Sequence, residues 1–300
     1  MPELPEIHAL VSDLDARLNG HTLARLEFIS FAALKTFEPP VSALSGRVIE
    51  RVSRHGKFLD VTTGGDPNGP AADNVAGELH VILHLARAGW IRWREGPPPA
   101  PSGRPGKGPL AARLILEDGS GLNITEAGSK KSLAIWVVAD PLEVPGIARL
   151  GPDPLTDDFT LAVFEDILAT AGRAQIKGML RNQSVIAGIG NAYSDEILHR
   201  ARMSPFKPAA MRPDDASRLF DALQATLRAA IERADGLAAS ELKREKKSGL
   251  QVHGRTGEPC PVCGDIVRQV IFADSTLQYC PTCQTGGKPL ADRVLSRLLK

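Results

Sequence analysis

Leu4, Ile7, Leu10, Val11, Leu14 and Leu18 recur at helical spacing, and Asn19-Gly20 ends the run. The spacing predicts one amphipathic helix, led by Met1-Pro2-Glu3. From Thr22 the period shortens to that of strands. Residues 22–29, 47–52 and 57–61 read as strands, and His80-Val81-Ile82-Leu83-His84-Leu85 as a buried one. Gly89-Trp90-Ile91-Arg92-Trp93 is expected to pair with it, and residues 113–116 and 133–138 complete a β-rich domain. Residues 63–77, with four glycines and two prolines, form a loop, and the Pro/Gly-rich, basic stretch 95–109 forms an excursion between strands. Beyond Gly151-Pro152-Asp153-Pro154-Leu155 the helical period returns. Leu161, Phe164, Ile167 and Leu168 make one face; Leu219, Leu223, Leu227 and Ile231 make another. Residues 241–257 are rich in Lys and Arg with glycines and read as a loop or linker, before a cysteine module and a short basic tail. The expected division is 1–150, 151–240 and 241–300.

Composition narrows the classes. A 43% hydrophobic content supports a sizeable core. Net charge is +1, so a nucleic-acid partner must be met by local basic clusters and not by a global field. No run of eighteen apolar residues predicts a membrane span, and the acidic start lacks the regions of a signal peptide. A cytoplasmic protein is expected. All four cysteines lie between positions 260 and 283, as C-x2-C-x16-C-x2-C. Each pair spans a tight turn and two turns close a tetrahedron, so Cys260, Cys263, Cys280 and Cys283 are expected to hold one zinc ion. Four thiolates leave no open position, which makes that zinc structural. Paired disulfides are the alternative, and they fit poorly without secretion.

Three further stretches carry candidate chemistry. Removal of Met1 leaves Pro2 as a secondary amine, a nucleophile that yields an iminium ion on an electrophilic carbon. It must be neutral to attack, and a helix N-terminus disfavours its protonated form. Glu3 and Glu6 are expected in the first turn beside it, placed to move protons. The plain alternative is that Pro and Glu are ordinary helix-start residues. In Gly188-Ile189-Gly190-Asn191, a glycine turn opens a helix whose free N–H groups can hold a phosphate. Asn191 either adds a donor there or is the N-cap. Arg54-His55-Gly56-Lys57 is a basic cluster before a strand, or a solvated strand edge. His55, His80 and His84 have no metal-like partners and read as packing or hydrogen-bonding residues; Phe206 reads as core.

In series, Pro2-Glu3-Leu4-Pro5-Glu6, Gly56-Lys57, Gly151-Pro152-Asp153-Pro154-Leu155, Gly188-Ile189-Gly190-Asn191 and His253-Gly254-Arg255-Thr256-Gly257-Glu258-Pro259-Cys260 resemble the formamidopyrimidine-DNA glycosylase / endonuclease VIII family over nearly the whole chain. The resemblance implies an α+β multidomain fold: an N-terminal β-sandwich with a leading catalytic helix, a helix–two-turn–helix domain and a zinc finger. It implies a monomer that binds damaged DNA between its halves and flips the nucleotide out. Carried onto this chain, Pro2 attacks C1′, Glu3 donates a proton and Lys57 contacts phosphate and supports catalysis. Asn191, with Gly188 and Gly190, binds a phosphate beside the lesion. The implied reaction is base excision followed by strand cleavage. Three positions depart from the family. Arg87 stands where a wedging Met is usual, Glu126–Lys131 replaces an Arg/Phe wedge loop, with Arg87, Lys130 and Lys131 expected to bind DNA there, and Ser275, after Asp274, replaces a finger-tip Arg. They open a second reading, a protein that binds damaged or distorted DNA on this scaffold with little excision. A zinc-ribbon RNA or ribosome factor would explain the finger but not the N-terminus. Oxidised purines and oxidised pyrimidines both stand as candidate substrates.

Overall fold

The computed structural model describes residues 1–65, 77–99, 108–128, 130–272 and 275–291. Most of the 63–77 loop, the middle of the 95–109 excursion, Ser129, Asp274 and the basic tail lie outside the described residues. The chain forms two compact units. One is Met1–Arg149 with Asp235–Leu242; the other is Leu150–Ala234 with the chain from Lys243 onward. Among the described residues, no helix is long and apolar enough to cross a membrane.

Helix α1 (Leu4–Leu18) opens the first unit, with Glu3 as N-cap and Pro5 in the first turn, where a missing N–H costs nothing. Leu4, Ile7, Leu10, Leu14 and Leu18 are fully buried, a contribution of roughly 1.5–3 kcal/mol each. Asp15 ties the helix to the sheet by accepting the Val52 N–H at 2.6 Å. The strands are β1 (Leu23–Phe28), β2 (Ile49–His55), β3 (Phe58–Thr63), β4 (Leu79–His84), β5 (Gly89–Arg94), β6 (Leu110–Leu116), β7 (Gly121–Glu126) and β8 (Ala134–Val138). They make two antiparallel sheets, ordered β2-β3-β4-β8 and β1-β6-β7-β5. Alternation buries Leu59, Val61, Val81, Leu83, Ile135 and Val137 of the first and Ile91, Leu114, Leu122 and Ile124 of the second, the interior of a β-sandwich.

The expected pairing of residues 80–85 with 89–93 does not occur. β4 pairs with β3 and β8, whereas β5 pairs with β7 in the other sheet. The four-residue turn between them carries the chain from one sheet to the other. Gly89 donates its N–H to the Leu85 carbonyl at 2.8 Å, and Ala86 takes φ 49°. A Cβ on Gly89 would sit 2.2 Å from that carbonyl oxygen, so the crossing requires glycine. The sequence pattern also passes over β7, in which only Leu122 and Ile124 carry the apolar alternation.

The second unit begins with α2 (Leu161–Ala171), α3 (Ile176–Arg181), α4 (Asn191–Arg200) and α5 (Pro213–Ala234). Phe164, Leu168, Ile197, Leu198, Leu219, Leu223 and Leu227 share one core. Residues 241–257 are not wholly loop, because α6 (Leu242–Gly249) forms within them. Lys, Arg and Glu are good helix formers once a neighbour holds them, and Arg233 binds Glu245 at 2.7 Å. The hairpin β9 (Arg268–Ile271) and β10 (Thr276–Tyr279) and the short α7 (Pro281–Thr285) complete the cysteine module. Phe206 is half-buried against Val270, Leu277 and Tyr279 of that hairpin.

Gly89→Ala should therefore lower stability by about 1–3 kcal/mol, the cost of overpacking a filled site. Urea unfolding of the variant measures it, and an unchanged midpoint would show that the turn can relax.

Candidate functional site

In the first unit, the chain start and the β2–β3 hairpin carry the candidate chemistry. Pro2 is buried immediately before α1, and Met1 is 48% exposed. Glu3 lies at the N-cap, not in the first turn as expected, and Glu6 lies within that turn. The Glu3 N–H donates to Glu6 Oε2 at 2.8 Å, one half of a capping box. Both carboxylates are almost fully buried, and the capping box holds them at the N-terminal, positive end of α1.

Lys57 occupies the tip of the hairpin, where Gly56 takes φ 53° and His55 pairs with Phe58. It is 5% exposed, which is not the placement of a solvated strand edge. His84 packs its ring on Phe58 at 4.7 Å. Burial, and then the Lys57 charge, hold His84 down at about 4, so it is neutral near pH 7. Asp60, 2% exposed, lies between two imidazoles, His55 Nε2 at 3.0 Å and His80 Nδ1 at 2.9 Å. Burial alone would raise its carboxyl, but the hydrogen bonds from both histidines outweigh that and hold it below the usual range. The histidines thus hydrogen-bond or pack, as expected.

Arg87 is exposed on the β4–β5 turn and Lys130 on the loop after β7. Lys131 turns its ammonium back to the Glu126 carbonyl, while the Glu126 carboxylate accepts the N–H groups of Ser132 at 2.7 Å and Leu133 at 2.9 Å.

In the second unit, Gly188 takes φ 88° and the Gln183 amide brackets the turn. It accepts from Gly188 N–H at 3.0 Å and donates to the Ile189 carbonyl at 2.6 Å. The N-cap of α4 is Gly190, so the N-cap reading of Asn191 fails; Asn191 is the first helical residue. Its Nδ2 donates to the Thr276 carbonyl of the finger hairpin at 2.7 Å, and its Oδ1 is buried without a partner among the described residues. Ser275 is half-buried beside Thr276.

Helix α4 then meets the finger along its length. Asp195 accepts from Lys177 at 2.6 Å and from Gln278 N–H at 3.2 Å and pairs with His253 at 2.7 Å. Glu196 accepts three backbone N–H groups, of Gln251 at 2.7 Å, Val252 at 2.9 Å and His253 at 2.8 Å. Burial still raises its carboxyl above the ordinary value, and the Asp195 charge adds to this. His199 Nε2 lies 3.3 Å from Cys260 Sγ. Asn191, Asp195 and His199 are four residues apart and therefore share a face.

The sulfur atoms of Cys260, Cys263, Cys280 and Cys283 lie within 4.8 Å of one another. Cys260 and Cys283 are 3.9 Å apart and Cys263 and Cys280 3.4 Å. A tetrahedron with Zn–S bonds of about 2.3 Å has edges near ~3.8 Å, so the donor set fits one zinc ion. Burial pushes Cys280 up to about 11 and raises Cys283 as well. These two are thiols without metal near neutral pH, so zinc uptake releases protons.

Gln183, Lys177, Glu196 and His199 are the residues that sequence reasoning missed. His199 carries no spacing signal, since its partner Cys260 lies on another element, and Gln183 is hidden because its amide serves only the backbone of its own turn.

Two outcomes follow. His199→Phe should speed zinc loss to a chelator, because a buried thiolate loses its N–H donor; an unchanged release rate would show that the contact is incidental. The folded His84 stays neutral down to about 4, whereas the unfolded chain takes its proton near ~6.5. Stability should therefore fall as pH drops from the higher value to the lower and then level off for this group, by on the order of 3 kcal/mol. His84→Phe should remove that limb from urea unfolding measured across pH.

Three family models match the chain: the formamidopyrimidine-DNA glycosylase N-terminal domain over residues 1–127, the formamidopyrimidine-DNA glycosylase H2TH domain over 150–241, and the zinc finger found in FPG and IleRS over 257–286. The formamidopyrimidine-DNA glycosylase of Sphingopyxis alaskensis is 37% identical, over 95% of this chain and all of that protein. An uncharacterized formamidopyrimidine-DNA glycosylase-like protein of Mycobacterium tuberculosis is 54% identical, over 52% of this chain and 98% of its own. The structure of MutM in complex with DNA containing carbocyclic 8-oxo-G superposes with TM-score 0.78 at 26% identity, over 95% of this chain and all of that one. Models matched in series along the chain, and a relative 37% identical over nearly its whole length, show that the chain belongs to the formamidopyrimidine-DNA glycosylase family.

Proposed function

We propose that this chain is a base-excision-repair enzyme, a DNA glycosylase that also cleaves the abasic strand. The observation that carries the reading is Pro2, buried directly before α1 with the Glu3 and Glu6 carboxyls at the same helix end. Once Met1 is removed, the Pro2 nitrogen attacks the sugar C1′, the glycosidic bond breaks and the base leaves with a proton. Glu3 is the donor that opens the sugar or protonates the leaving base. Loss of the ring oxygen from C1′ gives an iminium ion, which makes the C2′ proton acidic, and its removal expels the 3′ phosphate by β-elimination. The covalent route divides one hard displacement into easier steps. Lys57 at the hairpin tip is the phosphate contact of the first unit. The Gly188–Asn191 turn is that of the second, with a donor held in place by Thr276. MutM is solved on 8-oxo-G DNA, which makes oxidised purines the first substrates to assay here.

Ser275 favours a second reading, in which the chain binds damaged DNA and excises poorly. A guanidinium at a finger tip offers several donors to phosphate, and serine offers one neutral donor.

Borohydride should trap a covalent enzyme–DNA adduct through residue 2, and a retained Met1 should abolish it, because the amine becomes an amide. Undiminished trapping with a blocked N-terminus would sink the mechanism. Ser275→Arg should raise excision from duplex more than cleavage at a preformed abasic site, and one added phosphate contact should steepen the salt slope by ~0.9. Single-turnover rates on the two substrates at two salt concentrations separate the readings. Rapid duplex excision by the unaltered chain, unmoved by Ser275→Arg, would end the binder reading.

A further inference from the structure

Half of α6 is lysine or arginine, and the helix sorts them. Leu242, Glu245, Lys246 and Gly249 fall at i, i+3, i+4 and i+7, and these are its buried or half-buried positions. Lys243, Arg244, Lys247 and Ser248 make the other face, and all four are exposed. The inner face is held by two neighbours. Arg233, in the last turn of α5, binds Glu245 at 2.7 Å. A Cβ on Gly249 would lie 2.7 Å from the same guanidinium, so the helix lies close over Arg233. The Lys246 ammonium sits 4.7 Å from the centre of the Tyr193 ring. The only acid of the helix is thus on the inner face, and the outer face carries three cations. Glu241, one residue before the helix, opposes them in part.

The stability of the helix does not explain that face. Eight residues alone make a marginal helix. Lys243 and Lys247 stand four apart, a like-charge pair that weakens an isolated helix. An anionic partner would offset that repulsion, and the position of α6 says which one. Asn191 is the first residue of α4 and Tyr193 the third, so the Lys246 contact sets α6 beside the helix start that the Gly188–Asn191 turn opens. The finger meets α4 on the face of Asn191, Asp195 and His199. Tyr193 is two residues on from Asn191, about 200° round a helix of 3.6 residues per turn. Finger and α6 therefore flank the turn from different sides.

We propose that the outer face of α6 is a second phosphate clamp, in which Lys243, Arg244 and Lys247 hold the DNA backbone beside the phosphate at the glycine turn. That its partner is DNA rests on the function proposed above. Net charge is only +1, so a local cluster of this kind is where DNA can be met. Lysine holds phosphate as a point charge, and a backbone contact carries no sequence information. The clamp thus grips damaged and undamaged DNA alike.

The test is binding of the full-length, zinc-loaded protein to an undamaged duplex and to the same duplex with a stable abasic analogue, by fluorescence anisotropy across salt. Lys243→Gln with Lys247→Gln should weaken both DNAs by the same factor. Two lost phosphate contacts should lower the salt slope by ~1.8, so from 50 to 200 mM salt this variant's affinity should fall by a factor about 12 smaller than that of the unaltered chain. Lys243→Arg with Lys247→Arg should restore the slope. Arg228→Gln, at an exposed position of α5, should leave it unchanged. If the double variant unfolds by circular dichroism, Arg244→Gln takes its place, with about half the change in slope. The clamp is overturned by an unchanged slope, by a loss confined to the abasic duplex, or by an equal loss in Arg228→Gln. Borohydride trapping runs in parallel. No adduct from the unaltered chain, with an α6-dependent slope, ends the catalytic reading and keeps the clamp; an adduct with an unchanged slope does the reverse.

Discussion

A carboxylate taken out of water must be met by donors, and this chain uses that demand to fasten loops and neighbouring elements to one another. Glu196 shows it most plainly. Its two oxygens collect the backbone N–H groups of three consecutive residues, Gln251 to His253, and so fix the approach to the finger. Asp195 beside it gathers Lys177, His253 and the strand residue Gln278. In the first unit Glu126 does the same for Ser132 and Leu133, and Asp60 for two histidines. Glu6 meets the Glu3 N–H where α1 begins. Removing one such acid would strand several donors at once, whereas removing one donor would leave the acid partly served.

The same logic explains what could be read from the sequence. α1 was legible because one period of apolar residues, Leu4 to Leu18, maps onto one buried face. The four cysteines were legible because a metal imposes its spacing on the chain, and the sulfur cluster has the expected size. The sandwich and the helical unit followed from the family resemblance and from periodicity together. What stayed hidden depends on partners far apart in sequence. His80–Leu85 and Gly89–Trp93 look like a hairpin because only the backbone of Leu85 and Gly89 reveals that the chain changes sheets. The helix at Leu242–Gly249 was hidden by its charge, since its anchor, Arg233, lies on another element. His199 has no motif at all; its partner is a sulfur sixty-one residues away.

The departures from the family fall on loops and tips, not on the residues that hold the units together. Arg87 projects from a turn, Lys130 from a loop, and Ser275 from the end of a two-stranded ribbon. Loops of this kind vary without cost to the core. The chain start, the Lys57 hairpin and the Gly188–Asn191 turn sit by contrast on elements with buried anchors, so under the proposed function grip and choice of lesion would change while the groups proposed to react stay in register.

Helix α4 has a mechanical consequence. Its ten residues span about 15 Å at ~1.5 Å per residue, with the glycine turn at one end and the contact to Cys260 at the other. A hydrogen-bonded rod of that length is stiff, and the finger is fastened to it at Asn191, Asp195, Glu196 and His199. The finger is then no pendant flap. It moves as one body with the turn, so whatever quiets thermal motion at the sulfur cluster also quiets it at the turn, and order at either end costs the other no further entropy.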